Sequence, residues 1–384
     1  MSARREGHLK EVAPGKWKLR LTLGVDAGGR WLRLNRTLYC SKAEAQRTLN
    51  ALLKRKDDGL EVALTRQSLG AWIDEWLTVW CKRISVRTRT DYEAVLKRYL
   101  PNELRGRALP NLSAVDIQTF INSLTARGLA PRTVRIAHGA LRACLNRAVK
   151  LGKISRNVAT LVELPKNVHT ERRYLGPNEA ARFIDTAETD EHWGCFFVLL
   201  LLTGLRPGEA LGLQWSDLDN DVLRVRRALV RVCGQPPTLG PTKTGRSRVI
   251  PLSPRVVQAL QKHRIRQVER RLKLGDIYQD RDLIFPNELG GFADDHNIVA
   301  RHFKPLLDRL NLPSIRLYDL RHSHATLLLA ADEHPKVVQE RLGHSTITLT
   351  LDTYTHVVPT MQKRATERLD TLLGNQTVVT SVSQ

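Results

Sequence analysis

The sequence predicts a multidomain, mainly α chain. A small α+β module comes first, an all-α module second, and a mixed α/β module, mostly helical with a β-hairpin or small sheet, fills the second half. Three observations predict this. Apolar and cationic side chains alternate through residues 17–23. From 65 to 165, apolar residues recur at helical spacing between capping residues. Beyond 169, helical runs are interrupted by one candidate hairpin, Val222–Cys233 with Ser247–Pro251.

Residues 15–39 read as strands. Trp17, Leu19, Leu21 and Leu23 alternate with Lys18, Arg20 and Thr22, so apolar groups share one face and cations the other. Asp26-Ala27-Gly28-Gly29 reads as a turn, and Trp31 to Tyr39 as the returning strand, bearing Arg33. Ser41-Lys42-Ala43-Glu44 is a capping box that starts a helix running to about Lys56. A three-stranded sheet plus helix follows from this pattern, and residues 57–64 make a charged connection.

Four helices are expected next: Leu69–Trp80, Thr88–Tyr99, Ser113–Arg127 and Pro131–Leu151. Ser113 serves as N-cap and Gly128 as terminator. In the fourth, Val134, Ala137, Leu141, Leu145 and Ala148 face a core, leaving Arg132, Arg135, Arg142 and Lys150 on other sides, free to meet phosphates. Lys153 to Val168, with Pro165, reads as a linker. Helices at Pro177–Glu188, His192–Thr203 and Gly208–Trp215 precede the hairpin. Others follow around 253–273, 296–311, 319–331, 335–342, 346–356 and 361–373. The expected domains are therefore 1–64, 65–168 and 169–374, with a mobile tail at 375–384.

Charge distribution points to a polyanion. The net charge is +22 and the pI about 10.3. Residues 1–64 hold 14 Lys and Arg against 7 Asp and Glu, and 65–168 hold 18 against 7, whereas 169–384 hold 29 against 25. Two basic modules thus precede a nearly balanced one. A hydrophobic content of 42% excludes general disorder. Five scattered cysteines with no CxxC pair argue against a disulfide framework or a zinc site, and a reducing cytoplasm is the default. No apolar run approaches the roughly 18 residues of a membrane span.

Four short segments carry the chemistry: Thr203-Gly204-Leu205-Arg206-Pro207-Gly208-Glu209, Thr242-Lys243-Thr244, Tyr318-Asp319-Leu320-Arg321-His322, and Leu342-Gly343-His344 with Tyr354 ten residues on. Guanidiniums, an ammonium, an imidazole and a phenol suit attack on a phosphodiester: cations to hold non-bridging oxygens, a proton donor and a nucleophile. Each segment has a plainer reading. Arg206 alone is an ion-pair partner for Glu209, Lys243 a solvated turn lysine, His344 a loop residue after the helix-ending Gly343, and Tyr354 a core tyrosine.

The order and spacing of these segments resemble the tyrosine recombinase (phage integrase) family. The resemblance implies that Arg206 and Arg321 are the two catalytic arginines and that Glu209 braces the site. It makes Lys243 the general acid toward the 5′ oxygen, His344 a hydrogen-bond donor to the scissile phosphate and Tyr354 the nucleophile. The family usually places histidine where Tyr318 stands. A phenol donates a hydrogen bond but carries no charge near neutral pH, so the role of this position stays open. The first two modules resemble the family's arm-binding and core-binding domains, with Lys18, Arg20 and Arg33 on the former's basic face.

The implied function is that of an integrase, site-specific recombination that integrates or excises a phage or mobile element through a 3′-phosphotyrosyl intermediate, needing neither cofactor nor metal. The implied partners are double-stranded DNA at core and arm sites, a homotetrameric synapse, an excision factor and a host DNA-bending protein. Met361, Leu369, Leu372 and Leu373 mark a last helix that packs either on its own chain or on a neighbour. A Xer-like chromosome-resolving recombinase, a type IB topoisomerase-like enzyme and a non-catalytic DNA-binding regulator are the alternatives.

Overall fold

A computed structural model describes residues 7–25, 31–57, 67–166, 173–348, 351, 366–367 and 369–373. The chain divides into two compact units, Met1–His169 and Thr170–Gln384.

The first unit opens with three antiparallel strands, β1 (Gly7–Ala13), β2 (Lys16–Val25) and β3 (Trp31–Tyr39), in that order across the sheet. Helix α1 (Lys42–Asp57) covers one face. The expected alternation sets which face: Trp17, Leu19 and Leu21 are buried with Leu49 and Leu52 of α1, while Lys18, Arg20 and Arg33 are exposed. Ser41 and Glu44 form the anticipated reciprocal cap. Strand β1 escaped the sequence reading because Gly-His-Leu-Lys-Glu-Val-Ala buries little; pairing with β2 makes it a strand. The turn at 26–29 and the connection at 58–64 lie outside the described residues.

The helical part comprises α2 (Leu69–Val79), α3 (Val86–Tyr99), α4 (Asn102–Gly106), α5 (Ala114–Ala126) and α6 (Pro131–Lys150). Ser68, Ser85 and Ser113 cap α2, α3 and α5 with their hydroxyls. Val134, Ala137, Leu141, Leu145 and Ala148 of α6 are all buried, as their spacing requires. Trp72, fully buried in α2, donates its indole N–H to the Cys144 carbonyl of α6. The segment expected as a free linker behaves differently over its first half. Ile154, Val158 and Ala159 enter this helical core, and His138 of α6 donates to the Ala159 carbonyl at 2.6 Å. Asn157 donates to the Arg142 carbonyl (3.0 Å) and Asn146 (2.7 Å) and caps Ala159 (2.9 Å). Side-chain amides supplied the order that apolar periodicity did not signal.

The second unit packs α7 (Pro177–Ala187), α8 (Gly194–Thr203), α9 (Pro207–Leu211) and α10 (Pro254–Leu274) around a core built on Phe183, Phe196, Phe197, Phe285 and Phe303. Helix α9 is only five residues long, shorter than expected. The predicted single hairpin is two sheets. Strands β4 (Leu218–Asp219), β5 (Val222–Val225) and β8 (Arg248–Pro251) form one, and β6 (Arg227–Val230) pairs with β7 (Thr238–Pro241) in the other. The break falls at Arg226, where Arg226 and Arg227 both turn onto the buried carboxylate of Asp217. Lys243 therefore occupies the β7–β8 turn, between strands that do not pair with each other. The helix expected at 296–311 is α11 (Asp295–Ile298), a π turn (Val299–Phe303) and α12 (Lys304–Arg309) in continuity. Helices α13 (Asp319–Ala330) and α14 (Pro335–Leu342) follow. Most of 346–356, Met361 and the tail lie outside the described residues; Leu369, Leu372 and Leu373 are helical and exposed.

Replacing Asn157 by Ala removes two hydrogen bonds that pin the segment to α6 and the local cap on Ala159. The variant should lose about 2 kcal/mol, read as a lowered urea midpoint by tryptophan fluorescence; an unchanged midpoint would mean the amide bonds are passive.

Candidate active site

The described parts of the four chemistry-bearing segments converge at the C-terminal end of α14. Gly343 adopts the left-handed conformation there (φ 65°, ψ 44°). Its N–H bonds the Glu340 carbonyl and that of His344 the Gln339 carbonyl, a Schellman ending. The next three carbonyls are each taken by a guanidinium from a different element. Arg248 of β8 donates Nε–H to Arg341 O (2.9 Å), Arg321 of α13 donates to Leu342 O (2.6 Å), and Arg206 at the start of α9 donates to Gly343 O (3.4 Å). The Gln339 amide then closes on the His344 carbonyl at 2.8 Å. Cations at a helix C-terminus are favoured by the unpaired carbonyls and the helix dipole. Three such cations from distant positions bring their elements to one point.

Glu209 holds two of these arginines together. It is 1% exposed, and each oxygen accepts twice. Oε1 receives Arg206 Nη1 (2.6 Å) and Arg248 Nη1 (3.2 Å); Oε2 receives Arg248 Nη2 (2.6 Å) and the Arg206 N–H (3.1 Å). Burial pushes its pKa up. The Arg248 bonds and charge, joined by Arg206, outweigh burial and hold it at about 2. It is an anion across the working pH range.

Arg321 lies deepest, at 2% exposure, with its other Nη on the Gly204 carbonyl at 2.8 Å. Burial and then the charge of Arg206 draw its pKa down to about 10, so it stays protonated at neutral pH. Gly204 ends α8 with φ 67°, and a Cβ there would stand 2.6 Å from the His324 ring and 2.7 Å from Leu342. Only glycine allows this close junction of α8, α13 and α14.

A cavity of about 1250 Å³ opens above this base. Arg206, Lys243, Tyr318 and His344 line it, together with Arg248 and His322. Lys243 is exposed on its turn, where Thr242 hydrogen-bonds the Arg246 carbonyl. Tyr318 is 39% exposed, its ring edge-on to His322 at 5.5 Å. The His344 pKa falls to about 3, through burial first and then the charges of Arg321 and Arg206. The imidazole is thus a neutral group offering one N–H. His324 plays a different part: it bonds the Leu201 carbonyl at 2.9 Å and accepts from Arg341 Nε at 3.2 Å, which makes it a buried structural neutral histidine.

Of the predicted site residues, Arg206, Lys243, Tyr318 and His344 share the cavity, while Glu209 and Arg321 form its base. Tyr354 lies outside the described residues. Lys18, Arg20, Arg33, Arg132, Arg142 and Lys150 are exposed in the other unit. Arg135 is also exposed, but its guanidinium ties α6 to the Pro165 carbonyl at 2.9 and 3.1 Å. The sequence reading did not assign a role to Arg248. A signal was present: strand alternation puts Arg248 on the same side as fully buried Ile250 and opposite exposed Val249, and an inward-facing arginine needs a partner.

The sequence profile of the phage integrase family matches residues 173–361. A tyrosine recombinase XerC-like protein of Caldanaerobacter subterraneus subsp. tengcongensis is 30% identical over 385 residues, spanning 93% of this chain and 96% of that one. The ICEBs1 integrase of Bacillus subtilis is 24% identical, with 95% of this chain and all of the relative covered. Among solved structures, the Tn1549 transposon integrase in complex with a circular intermediate DNA superposes with a TM-score of 0.67 at 22% identity. It covers 79% of this chain and 99% of its own.

Two buried histidines and the half-buried His344 set an acid limit. His263, His324 and His344 have folded pKa values of about 4, 3 and 3, below the ordinary 6.5. The unfolded chain therefore binds more protons below pH 6.5, and stability falls as pH drops through that value toward 4. Glu209 adds to the loss only below about 4.5, where the unfolded carboxylate takes its proton. Thermal melts should show a falling Tm from pH 7 to pH 5; a flat profile would contradict neutral burial of these rings.

Proposed function

Because the chain belongs to the phage integrase family of tyrosine recombinases, we propose that its cavity is the strand-transfer site of a mobile-element integrase and that Tyr354 is the nucleophile. The protein is a site-specific DNA recombinase that cuts and rejoins strands through a 3′-phosphotyrosyl link. The observation that carries the residue assignment is the convergence of Arg206, His344 and Lys243 on one cavity floored by Arg321.

In this reading a scissile phosphate enters the cavity. Arg206 and Arg321 bind its non-bridging oxygens as negative charge grows, and neutral His344 donates one more hydrogen bond. The Tyr354 hydroxyl gives its proton to solvent as its oxygen attacks phosphorus, the bond to the 5′ oxygen breaks, and Lys243 supplies that oxygen's proton and regains its own from solvent. The phosphotyrosine ester retains the phosphodiester's energy, so a 5′ hydroxyl from another strand reverses the chemistry and reseals DNA. Tyr318 donates a neutral hydrogen bond where the family usually has histidine. Glu209 stays ionised and keeps Arg206 in place.

The basic faces of the first unit supply DNA grip. Lys18, Arg20 and Arg33 suit arm-site phosphates; Arg132, Arg142 and Lys150, with Arg135 at the edge, suit core-site phosphates. A tetrameric synapse of two protomers per site, an excision factor and a host DNA-bending protein complete the proposed partners, in the cytoplasm. No described helix is long and apolar enough to cross a membrane. The XerC-like name of one relative supports a second reading, a Xer-like chromosome-resolving enzyme. The extra N-terminal sheet module supports the element integrase.

With a nicked suicide substrate, the wild type should give an SDS-resistant adduct. Tyr354→Phe should bind DNA and give none, and an adduct persisting in that variant sinks the nucleophile assignment. In the same assay Arg206→Ala should nearly abolish cleavage, while Tyr318→Phe should slow it by less than the roughly 10²–10³-fold cost of a lost transition-state donor. Deleting residues 1–60 should spare core-site binding but abolish arm-site binding and efficient integration. Unimpaired integration by the truncated chain would favour the second reading.

A further inference from the structure

We propose that Arg248 is a positioning residue, a strut that sets both Arg206 and His344 for strand transfer; for its catalytic half this rests on the reading above. All three of its guanidinium nitrogens are engaged, and its side chain is 10% exposed. Nη1 and Nη2 form a fork on the two oxygens of Glu209, the same oxygens that hold the Arg206 side chain and backbone N–H. Nε–H reaches the Arg341 carbonyl, two residues before Gly343 and three before His344.

Close packing makes the strut stiff. A Cβ on Gly343 would lie 3.1 Å from Arg248 Cδ and 3.1 Å from Nη1, so the turn leading to His344 rests directly on the guanidinium. The base of the side chain is equally fixed: β8 pairs with β5, and neighbouring Ile250 is fully buried. Arg248 therefore connects a rigid strand to α9 through Glu209 and to α14 through a carbonyl. Lysine cannot replace it, because one ammonium lacks a planar fork that spans both carboxylate oxygens and a third acceptor. Since Arg206 and His344 reach the cavity from different elements, their separation is set by what braces both elements. A displacement of about 1 Å in such a constellation costs on the order of 10² in rate.

The test uses the full chain with Arg248→Lys and Arg248→Gln. Amide hydrogen exchange at Gly343 and His344, whose N–H groups close the α14 ending, should quicken at least tenfold in both variants. Amides in α8 should keep wild-type exchange. Single-turnover cleavage of a suicide core site at saturating protein should fall about 10²-fold in Arg248→Lys, with half-saturation within about threefold of wild type. Unchanged exchange at Gly343 and His344 overturns the strut. So does a loss seen only in DNA affinity, which would make Arg248 a phosphate contact. Quickened exchange throughout α8 also overturns it, since the residue would then serve global stability alone. If the wild type itself forms no adduct, the strand-transfer reading fails, and the exchange data still decide whether Arg248 holds the turn.

Discussion

The candidate active site of the second unit depends on how the C-terminus of α14 is satisfied. Six consecutive carbonyls, from Gln339 to His344, are each matched by a donor: two backbone N–H groups, three arginines and one glutamine amide. An α-helix leaves its last four carbonyls without partners inside the helix. Here they gather β8, α9 and α13, and the residue that emerges from the turn is His344. Fold closure and site assembly are one event, because the same guanidiniums serve both.

Concentrating so much positive charge would be unstable without a buried anion. Glu209 meets that need with four hydrogen bonds, and its depressed pKa measures how strongly the arginines favour its charge. The arrangement leaves a cavity whose donors are already oriented, which is how a protein stabilises developing negative charge without reorganising at the moment of reaction. Burial and then the charges of Arg321 and Arg206 keep His344 neutral in the same field, so its imidazole offers an N–H rather than a charge.

The two units divide the electrostatics. The first carries most of the net charge on solvent-exposed sheet and helix faces, where it acts at range and is screened by salt. The second is nearly balanced overall, and four of its cations, Arg206, Lys243, Arg248 and Arg321, gather at one cavity and its base. Asn157, His138 and Arg135 fasten part of the segment after α6 to the first unit, so the stretch between units is shorter than composition implies.

Local patterning determined much of this protein. The alternation of Trp17, Leu19 and Leu21, the box at Ser41–Glu44, the buried stripe of α6 and the helix-ending glycine at 343 all declare themselves in sequence, because each depends on neighbours within one or two turns. The motif segments likewise named Arg206, Lys243, Tyr318 and His344, which do share a cavity. Other features depended on groups far apart in the chain. The splitting of the expected hairpin at Arg226 requires Asp217 as an inward anchor. The packing of 154–159 requires side-chain amides meeting α6, and strand β1 requires the edge of β2. The role of Arg248 is the clearest case: its partners are 39 and 93 residues away. Sequence determines which groups can donate, accept or bury. Only the tertiary structure decides which of them meet, since a hydrogen bond between distant residues leaves no periodicity behind it.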